Sequence, residues 1–429
     1  MNPMSLSTQL RPRPAQLILL LAVLQAYCAT FLLQREGFHR INSLLFFGAG
    51  IAITFLILKV PGIAYSPKPV LNRGRGLRFL GLALLLPVSV FVARKIMAGT
   101  PVSIEHADML PIIQVQGNRF LDGNFTQIYD PIPEFWGGIQ PIYLPAFWIP
   151  HVYATVLGFD IRWITFTGIW ACVALCLWPG HARRIVTSVV LVFGLLMVLN
   201  WLHFEKTNNV IRLTEEGVVY FYYTLLAVAI MRGNPYFIGF CAALCFLSRY
   251  SAIGWFPFAI IYLLLQKKYD FLWRFCAAGA ITAFFLLYPV GFKPLLVHLN
   301  LPDQYVSHAQ NVWKQNPEYF QGLGMSKFFG AGGVSLNHAL LKWGTFLVPL
   351  GFLFYVRRRR ISHNMALLAG LQLSITFFYN FIDVPYLYLF YTPVFVSLAI
   401  GAWLHGYGTD RLAAEALPES AESPKSLHL

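Results

Sequence analysis

The stretch IVTSVVLVFGLLMVLNWL, residues Ile185–Leu202, contains no charged side chain and decides the class of fold. The hydrocarbon core of a bilayer is about 30 Å thick, so a helix needs about 20 apolar residues to cross it, with a working range of about 17–25. Ile185–Leu202 satisfies that length and therefore predicts a transmembrane helix. The same pattern recurs along the chain.

Similar apolar runs predict about twelve transmembrane helices in an all-α polytopic membrane protein. The runs are Ala15–Leu33, Ile41–Leu58, Leu77–Ala93, Trp163–Trp178, Ile185–Leu202, Val218–Met231, Tyr236–Ser248, Ser251–Leu265, Leu272–Val290, Leu340–Val356, Ala366–Ile382 and Tyr386–Leu404. The segment Pro141–Gly158 is also apolar, but Pro145, Pro150 and His151 interrupt it.

The composition agrees with a membrane protein. Of the 429 residues, 57% are hydrophobic and 12% are charged, whereas soluble domains carry about a quarter of their residues as charges. These figures exclude a soluble enzyme, a disordered chain and a disulfide-rich secreted module.

The formal net charge of +14 is explained by an excess of basic residues on one side of the membrane. Lys and Arg near the ends of transmembrane helices prefer the cytoplasmic side, and the basic clusters all lie on one side if Pro141–Gly158 stays on the outer surface. The clusters are Lys59, Lys68, Arg73, Arg75 and Arg78; Arg183 and Arg184; Lys267, Lys268 and Arg274; and Arg357 to Arg360. We therefore expect a multi-pass protein of the cell (plasma or inner) membrane with both termini cytoplasmic. Nucleic acid is not needed to explain the charge.

This topology predicts a single integral-membrane domain over residues 1–404 and a disordered cytoplasmic tail over 405–429. The outer segments are 94–162, 203–217 and 291–339, the first of them with helices along the membrane surface. Most carboxylates fall on this outer side. A transporter keeps its polar groups near mid-membrane, so the distribution favours an enzyme that works at the outer face.

Asp108 is the first candidate catalytic residue. A carboxylate near apolar groups at a membrane surface has a raised proton affinity, which suits a general base. If Ile104–Phe120 is helical, Glu105 lies on the same helical face and shares that role or a cation. The alternative is that Asp108 caps or solvates a surface helix.

Two segments resemble a known superfamily. The first is H-A-D…F-L-D-G…I-Y…P-I-Y-L-P-A-F, with Asp108, Leu121–Gly123, Tyr129 and Tyr143–Pro145. The second is GFCAALCFLSRYSAIGWFPFAIIYLL with Arg249 at its centre, followed by the basic turn QKKYDFLWR. Together they resemble the GT-C superfamily of polyprenyl-phosphate-dependent glycosyltransferases, and among these glycosyltransferase family 87.

The resemblance covers roughly residues 77–289, with two departures from the family pattern. Two predicted transmembrane helices precede the usual first one, and the acidic motif is E-x-x-D, Glu105 to Asp108, in place of D-x-D. The second departure weakens the prediction of a metal site. We therefore expect no cofactor, and the sequence gives no support for a divalent metal.

The resemblance implies a polyprenyl-phosphate sugar as donor and a lipid or glycan hydroxyl as acceptor, with membrane lipids as the surroundings. Asp108 takes the acceptor's proton while the anomeric carbon is inverted, and Arg249 stabilises the leaving phosphate. Snorkelling of Arg249 to lipid phosphates is the alternative. The other candidates are His203, Lys206 and Arg212 for the donor phosphate, and His106, Arg119, Tyr129, Glu215, Glu216 and His308 for lining the substrate site.

Two other functions remain open on the sequence. A polymerase or ligase for lipid-linked glycans shares the outer-face architecture, and a twelve-span transporter or flippase shares the helix count. The chain lacks a P-loop, a GxGxxG turn, HExxH and GxSxG, so nucleotide-driven or soluble-domain hydrolytic mechanisms have no support.

Overall fold

The computed structural model describes residues 14–30, 37–60, 75–135, 138–178, 184–203, 210–299, 302–359 and 361–415. The α-helices are α1 (Pro14–Thr30), α2 (His39–Ile57), α3 (Arg75–Ala98), α4 (Met109–Leu121), α5 (Pro145–Leu157), α6 (Arg162–Leu177), α7 (Arg184–His203), α8 (Val210–Leu213), α9 (Gly217–Arg232), α10 (Pro235–Phe246), α11 (Trp255–Leu265), α12 (Tyr269–Leu287), α13 (Lys293–Leu299), α14 (Pro302–Gln315), α15 (Val334–Arg357), α16 (His363–Phe381) and α17 (Tyr391–Glu415). Short 3-10 turns join several of them, and the β pairing in these ranges is an isolated bridge between Ile132 and Ile139.

The predicted all-α class is confirmed for the part of the chain that the structure describes. Six helices are long and apolar enough to cross a membrane: α2, α3, α7, α12, α15 and α17. Shorter apolar helices accompany them, namely α1, α6, α9, α10 and α11. The prediction of about twelve crossings goes beyond these six and stays a prediction.

The helices α9, α16 and α17 form the centre of the bundle. Nearly every residue of α16 from Met365 to Asn380 is buried, and α9 is buried along its whole length. Close approach at glycines makes this possible: a Cβ on Gly168 of α6 would lie 2.2 Å from the carbonyl oxygen of Gly217 in α9. Small residues let helix backbones approach closely, which is how helices pack within membranes.

The helices α3 and α12 lie at the periphery. Within their most apolar windows 17% and 6% of the residues, respectively, are buried inside the protein. Large apolar side chains such as Phe91, Phe284 and Phe285 are exposed along them. A soluble protein rarely exposes apolar faces of this extent, so these surfaces fit contact with lipid.

The first long segment between α3 and α6 carries two short helices, α4 and α5. Pro145 occupies the first turn of α5, Pro150 lies inside it, and Gly158 ends it with a left-handed φ of 68°. At thirteen residues α5 is shorter than a transmembrane helix needs to be. The backbone N–H of Ala146 in α5 donates to the carbonyl of Leu247, the residue that ends α10 (3.0 Å).

The predicted helix over Ile104–Phe120 begins later than expected, so one expectation is wrong. The N–H groups of His106 and Ala107 both donate to the carbonyl of Ser103 and close a turn there. The helix α4 starts only at Met109. Glu105 lies exposed in the turn, and it does not share a helical face with Asp108.

The end of the chain also differs from the expectation. The predicted disordered tail begins at residue 405, but α17 is helical to Glu415. The remainder, residues 416–429, lies outside the described residues.

Candidate functional site

Four ionisable residues from separate segments converge at one end of the bundle: Asp108, Glu215, Glu216 and Arg249, which we call the acid–arginine cluster. Asp108 precedes α4, the two glutamates precede α9, and Arg249 lies between α10 and α11. Asp108, Glu215 and Arg249 each interact electrostatically with the hydroxyl of Tyr143 and with that of Tyr388. Three members of the cluster therefore lie close enough to act on these two tyrosines, one from the turn before α5 and one from the turn before α17.

Arg249 is held in place by protein groups. Its backbone is extended (φ −156°, ψ 140°) where the apolar run breaks between α10 and α11. The guanidinium forms an ion pair with the buried carboxylate of Glu216 and lies 5.8 Å from the ring centroid of Phe147 in α5. The hydroxyl of Tyr223 donates to the Arg249 carbonyl (2.7 Å). The predicted alternative of snorkelling to lipid phosphates does not describe this geometry, because the charge points into the protein.

The turn that carries Glu215 and Glu216 is rigid. The hydroxyl of Thr165 in α6 donates to the carbonyl of Thr214 (2.8 Å), and the Thr214 hydroxyl accepts from the backbone N–H of Glu216 (3.1 Å). A Cβ on Gly217 would lie 2.2 Å from the carbonyl oxygen of Thr165. Only glycine permits this approach, so the turn holds both carboxyl groups at fixed positions.

Glu215 is completely buried, and burial raises the pKa of its carboxyl group to about 8. Arg249 opposes this shift, whereas the negative charge of Asp108 adds to it. A carboxyl group with such a pKa is protonated at neutral pH.

Asp108 occupies the N-cap position of α4, but its side chain forms no capping hydrogen bond. The predicted capping role is therefore not observed. Burial raises the pKa of the Asp108 carboxyl above its usual value, and the neighbouring His308 of α14 opposes that rise. A half-buried carboxylate with raised proton affinity has the properties of a general base.

The helix α14 also brings side chains near the cluster. The hydroxyl of Tyr305 interacts electrostatically with Arg249 and with Asp383. Asp383, in the turn between α16 and α17, pairs with Nδ1 of His338 in α15 (2.7 Å). Sequence reasoning missed the roles of Phe147, Tyr388 and Asp383 here. For Asp383 a signal existed, because it is a lone charge between two apolar runs.

The remaining predicted residues lie apart from these contacts. The guanidinium of Arg119 donates to the backbone carbonyls of Gln127 (2.8 Å) and Asp130 (2.6 Å), and so stabilises its own loop. The hydroxyl of Tyr129 donates to the Tyr143 carbonyl (2.8 Å) and accepts from the indole of Trp148 (3.0 Å). These bonds hold both side chains within the first long segment, and their role in lining a substrate site stays a prediction.

Of four further predicted residues, the structure describes the side chains of two, His106 and Arg212. His106 is exposed and contacts the hydroxyl of Ser103 through Nδ1 (2.7 Å). Arg212 lies half-buried on the short helix α8. The side chain of His203 and the whole of Lys206 lie outside the described residues.

The described residues contain no group of three or more His, Cys, Asp or Glu side chains that fits a metal ion.

Comparison with known proteins gives no relative: no protein family, curated protein or solved structure matches the chain. The chemistry of the acid–arginine cluster is therefore the basis for a function.

Proposed function

We propose that the protein is a membrane glycosyltransferase of the GT-C type that moves a sugar from a polyprenyl-phosphate donor to a lipid or glycan acceptor. One observation carries the proposal: Asp108, with the properties of a base, and Arg249, a fixed cation, act on the same pair of tyrosines at one end of an all-helical bundle. A transfer from a lipid phosphate requires a base for the acceptor and a cation for the leaving group.

In this proposal Asp108 accepts the proton of the acceptor hydroxyl while its oxygen attacks the anomeric carbon of the sugar. The bond between the anomeric carbon and the phosphate oxygen breaks, and the lipid phosphate leaves with the electron pair. The anomeric carbon is inverted because attack and departure occur on opposite faces. The guanidinium of Arg249 stabilises the negative charge that develops on the phosphate.

The orientation in the membrane belongs to the same proposal. About twelve crossings place the acid–arginine cluster at the outer face of the cell membrane and both termini in the cytoplasm. This arrangement is supported by the basic residues at the opposite helix ends, among them Lys267, Lys268 and Arg357 to Arg359. A polyprenyl-phosphate donor presents its head group at such a membrane surface, within reach of the cluster.

A lipid-linked glycan polymerase or ligase is the alternative, because it uses the same base and cation. The two differ in what is transferred: one sugar in the first case and a whole oligosaccharide in the second. The mass of the product formed from a single polyprenyl-phosphate sugar separates them.

The experiment uses the full chain in lipid vesicles, with a panel of undecaprenyl-phosphate hexoses and a lipid extract as acceptor. We expect Asp108→Asn to lower sugar transfer by about 100-fold or more, because an amide cannot accept the proton. Binding of undecaprenyl phosphate stays unchanged. The matched control is Asp122→Asn at the other end of α4, where the carboxylate is exposed, and it retains wild-type transfer.

The same vesicles test the phosphate site. Arg249→Gln is expected to weaken undecaprenyl phosphate binding about 10-fold or more, since a charge-assisted hydrogen bond is lost. Arg274→Gln, an exposed arginine paired with Asp270, serves as control. Transfer that survives in Asp108→Asn, or phosphate binding that survives in Arg249→Gln, would contradict the proposal.

A further inference from the structure

The carboxyl group of Glu215 is a buried polar group that the proposed mechanism does not use. Its side chain is fully buried, and neither of its oxygens has a hydrogen-bond partner among the described residues. The backbone N–H of Glu215 itself and, to a smaller extent, the hydroxyl of Thr214 lower the pKa of the carboxyl group, yet neither reaches the geometry of a hydrogen bond. Leaving a buried polar group unpaired is unfavourable, so a ligand is expected to pair with it.

The surroundings determine which form of the carboxyl group is present. Arg249 and Asp108 act on it electrostatically, as do the hydroxyls of Tyr143, Tyr220 and Tyr388, and the Glu216 carboxylate pairs with the same Arg249. Arg249 is the one cation in this set, so its single positive charge cannot balance three carboxylates. A third negative charge is therefore unfavourable, and the Glu215 side chain is a neutral acid with one O–H donor and one carbonyl acceptor.

We propose that Glu215 recognises the transferred sugar by hydrogen bonding to one of its hydroxyl groups. This inference rests on the proposed glycosyltransferase function and names the contact that selects the substrate. A neutral carboxyl group and a hydroxyl group each offer one donor and acceptor lone pairs, so the two match. A cation would require the ionised form, and the donor phosphate is assigned to Arg249.

The position of Glu215 fits a selective contact. The turn from Thr214 to Gly217 is fixed to α6 by a hydrogen bond and by a close backbone contact. The carboxyl group therefore cannot move to another hydrogen-bond partner. A site built to hydrogen-bond a substrate hydroxyl rejects an analogue that lacks it, because the buried group is then left unpaired.

The proposal also sets a pH dependence. The pKa of Glu215 is raised to about 8, so the O–H donor is fully present below that pH. As the pH rises through about 8, the carboxyl group ionises, loses its donor and repels Asp108 and Glu216. Affinity for the sugar-bearing donor is therefore expected to fall above pH 8 by a larger factor than affinity for undecaprenyl phosphate without a sugar, which loses only the effect of the new charge beside Arg249.

The experiment compares equilibrium binding of undecaprenyl phosphate with binding of undecaprenyl-phosphate hexoses, from pH 6 to pH 9. Glu215→Gln keeps a neutral donor and acceptor. We therefore expect its affinity for the hexose donor to lie within about 3-fold of wild type and not to fall above pH 8. Glu215→Leu removes both and is expected to weaken binding of the preferred hexose donor about 10-fold or more. Both variants bind undecaprenyl phosphate as wild type does, and Glu318→Gln, at an exposed site, is the control.

The outcomes separate the two proposals. If the hexose donor binds Glu215→Leu as tightly as wild type, buried water pairs with Glu215, and the sugar contact is overturned while the proposed function stands. If Glu215→Leu does not fold, the pH profiles decide, because parallel profiles for wild type and Glu215→Gln overturn the contact. If wild type binds neither undecaprenyl phosphate nor any hexose donor, the proposed function fails, and the sugar contact fails with it.

Discussion

The helices α17 and α12 are both long and apolar, yet they occupy opposite environments. Every residue in the most apolar window of α17 is buried inside the protein, whereas 6% of the corresponding window of α12 is. The difference shows that hydrophobic composition does not distinguish a helix in the centre of the bundle from one that faces lipid. What distinguishes them is the polar groups they carry and the partners those groups find.

The central helices contain polar side chains that are paired across helices. Gln372 of α16 donates to the hydroxyl of Ser397 in α17 (3.0 Å), and Asn200 of α7 donates to the carbonyl of Thr30 in α1 (2.9 Å). The exposed face of α12 presents Phe284, Phe285 and Ile281. Lipid offers no hydrogen-bond partners, so paired polar groups mark the helix faces that contact protein.

The largest effect is expected for a buried phenylalanine. Phe258 of α11 is fully buried against Gly370 of α16, and Phe258→Ala leaves a cavity. We expect a loss of about 3 kcal/mol, at the low end of the usual range because lipid and not water is the alternative environment. Thermal unfolding in detergent measures it. Phe285→Ala in α12, where the residue is 70% exposed, is expected to change the free energy of unfolding little. Equal losses of stability in the two variants would contradict the difference between centre and periphery.

A smaller effect is expected at the glycine contact between α6 and α9. In Gly168→Ala the new methyl group meets the Gly217 carbonyl at 2.2 Å, so the backbones must separate, at a cost of about 2 kcal/mol. The same stability assay applies. The control is Gly351→Ala in α15, where nothing lies within 4 Å and alanine favours the helix. A drop in stability of equal size in both variants would show that the close approach is not what matters.

The smallest effect is expected for one hydroxyl group. Tyr220 of α9 donates to the buried carbonyl of Tyr388 (2.6 Å), and Tyr220→Phe leaves that carbonyl unpaired, with a cost of about 1 kcal/mol. Tyr288→Phe at the end of α12 removes a hydroxyl from a side chain that is 76% exposed and is expected to have no effect on unfolding temperature. Should the two variants behave alike, polar pairing would not distinguish centre from periphery.

The sequence was sufficient for the helical elements, because each predicted apolar run coincides with a helix wherever the structure describes it. It was not sufficient for their arrangement. Which of α12 and α17 is central depends on glycine contacts and side-chain hydrogen bonds between helices far apart in the chain, and hydropathy contains no information about either.

The candidate site was predictable in part. Asp108, Glu215, Glu216 and Arg249 were identified from their position beside apolar runs, and the structure brings them together. The ion pair between Glu216 and Arg249 was not predictable, since it depends on how α9 packs against α10. Glu105 was placed wrongly because a local turn at Ser103 delays the start of α4. Arg119 bonds to the carbonyls of its own loop, a use of the side chain that charge alone does not reveal.

The backbone hydrogen bond from Ala146 to Leu247 makes α5 and the segment before Arg249 a single mechanical unit. The contact of Phe147 with the Arg249 guanidinium reinforces it. A displacement of α5 is therefore expected to move the cation two residues beyond Leu247. Under the proposed function, an acceptor that presses on α5 would shift the Arg249 guanidinium without touching it.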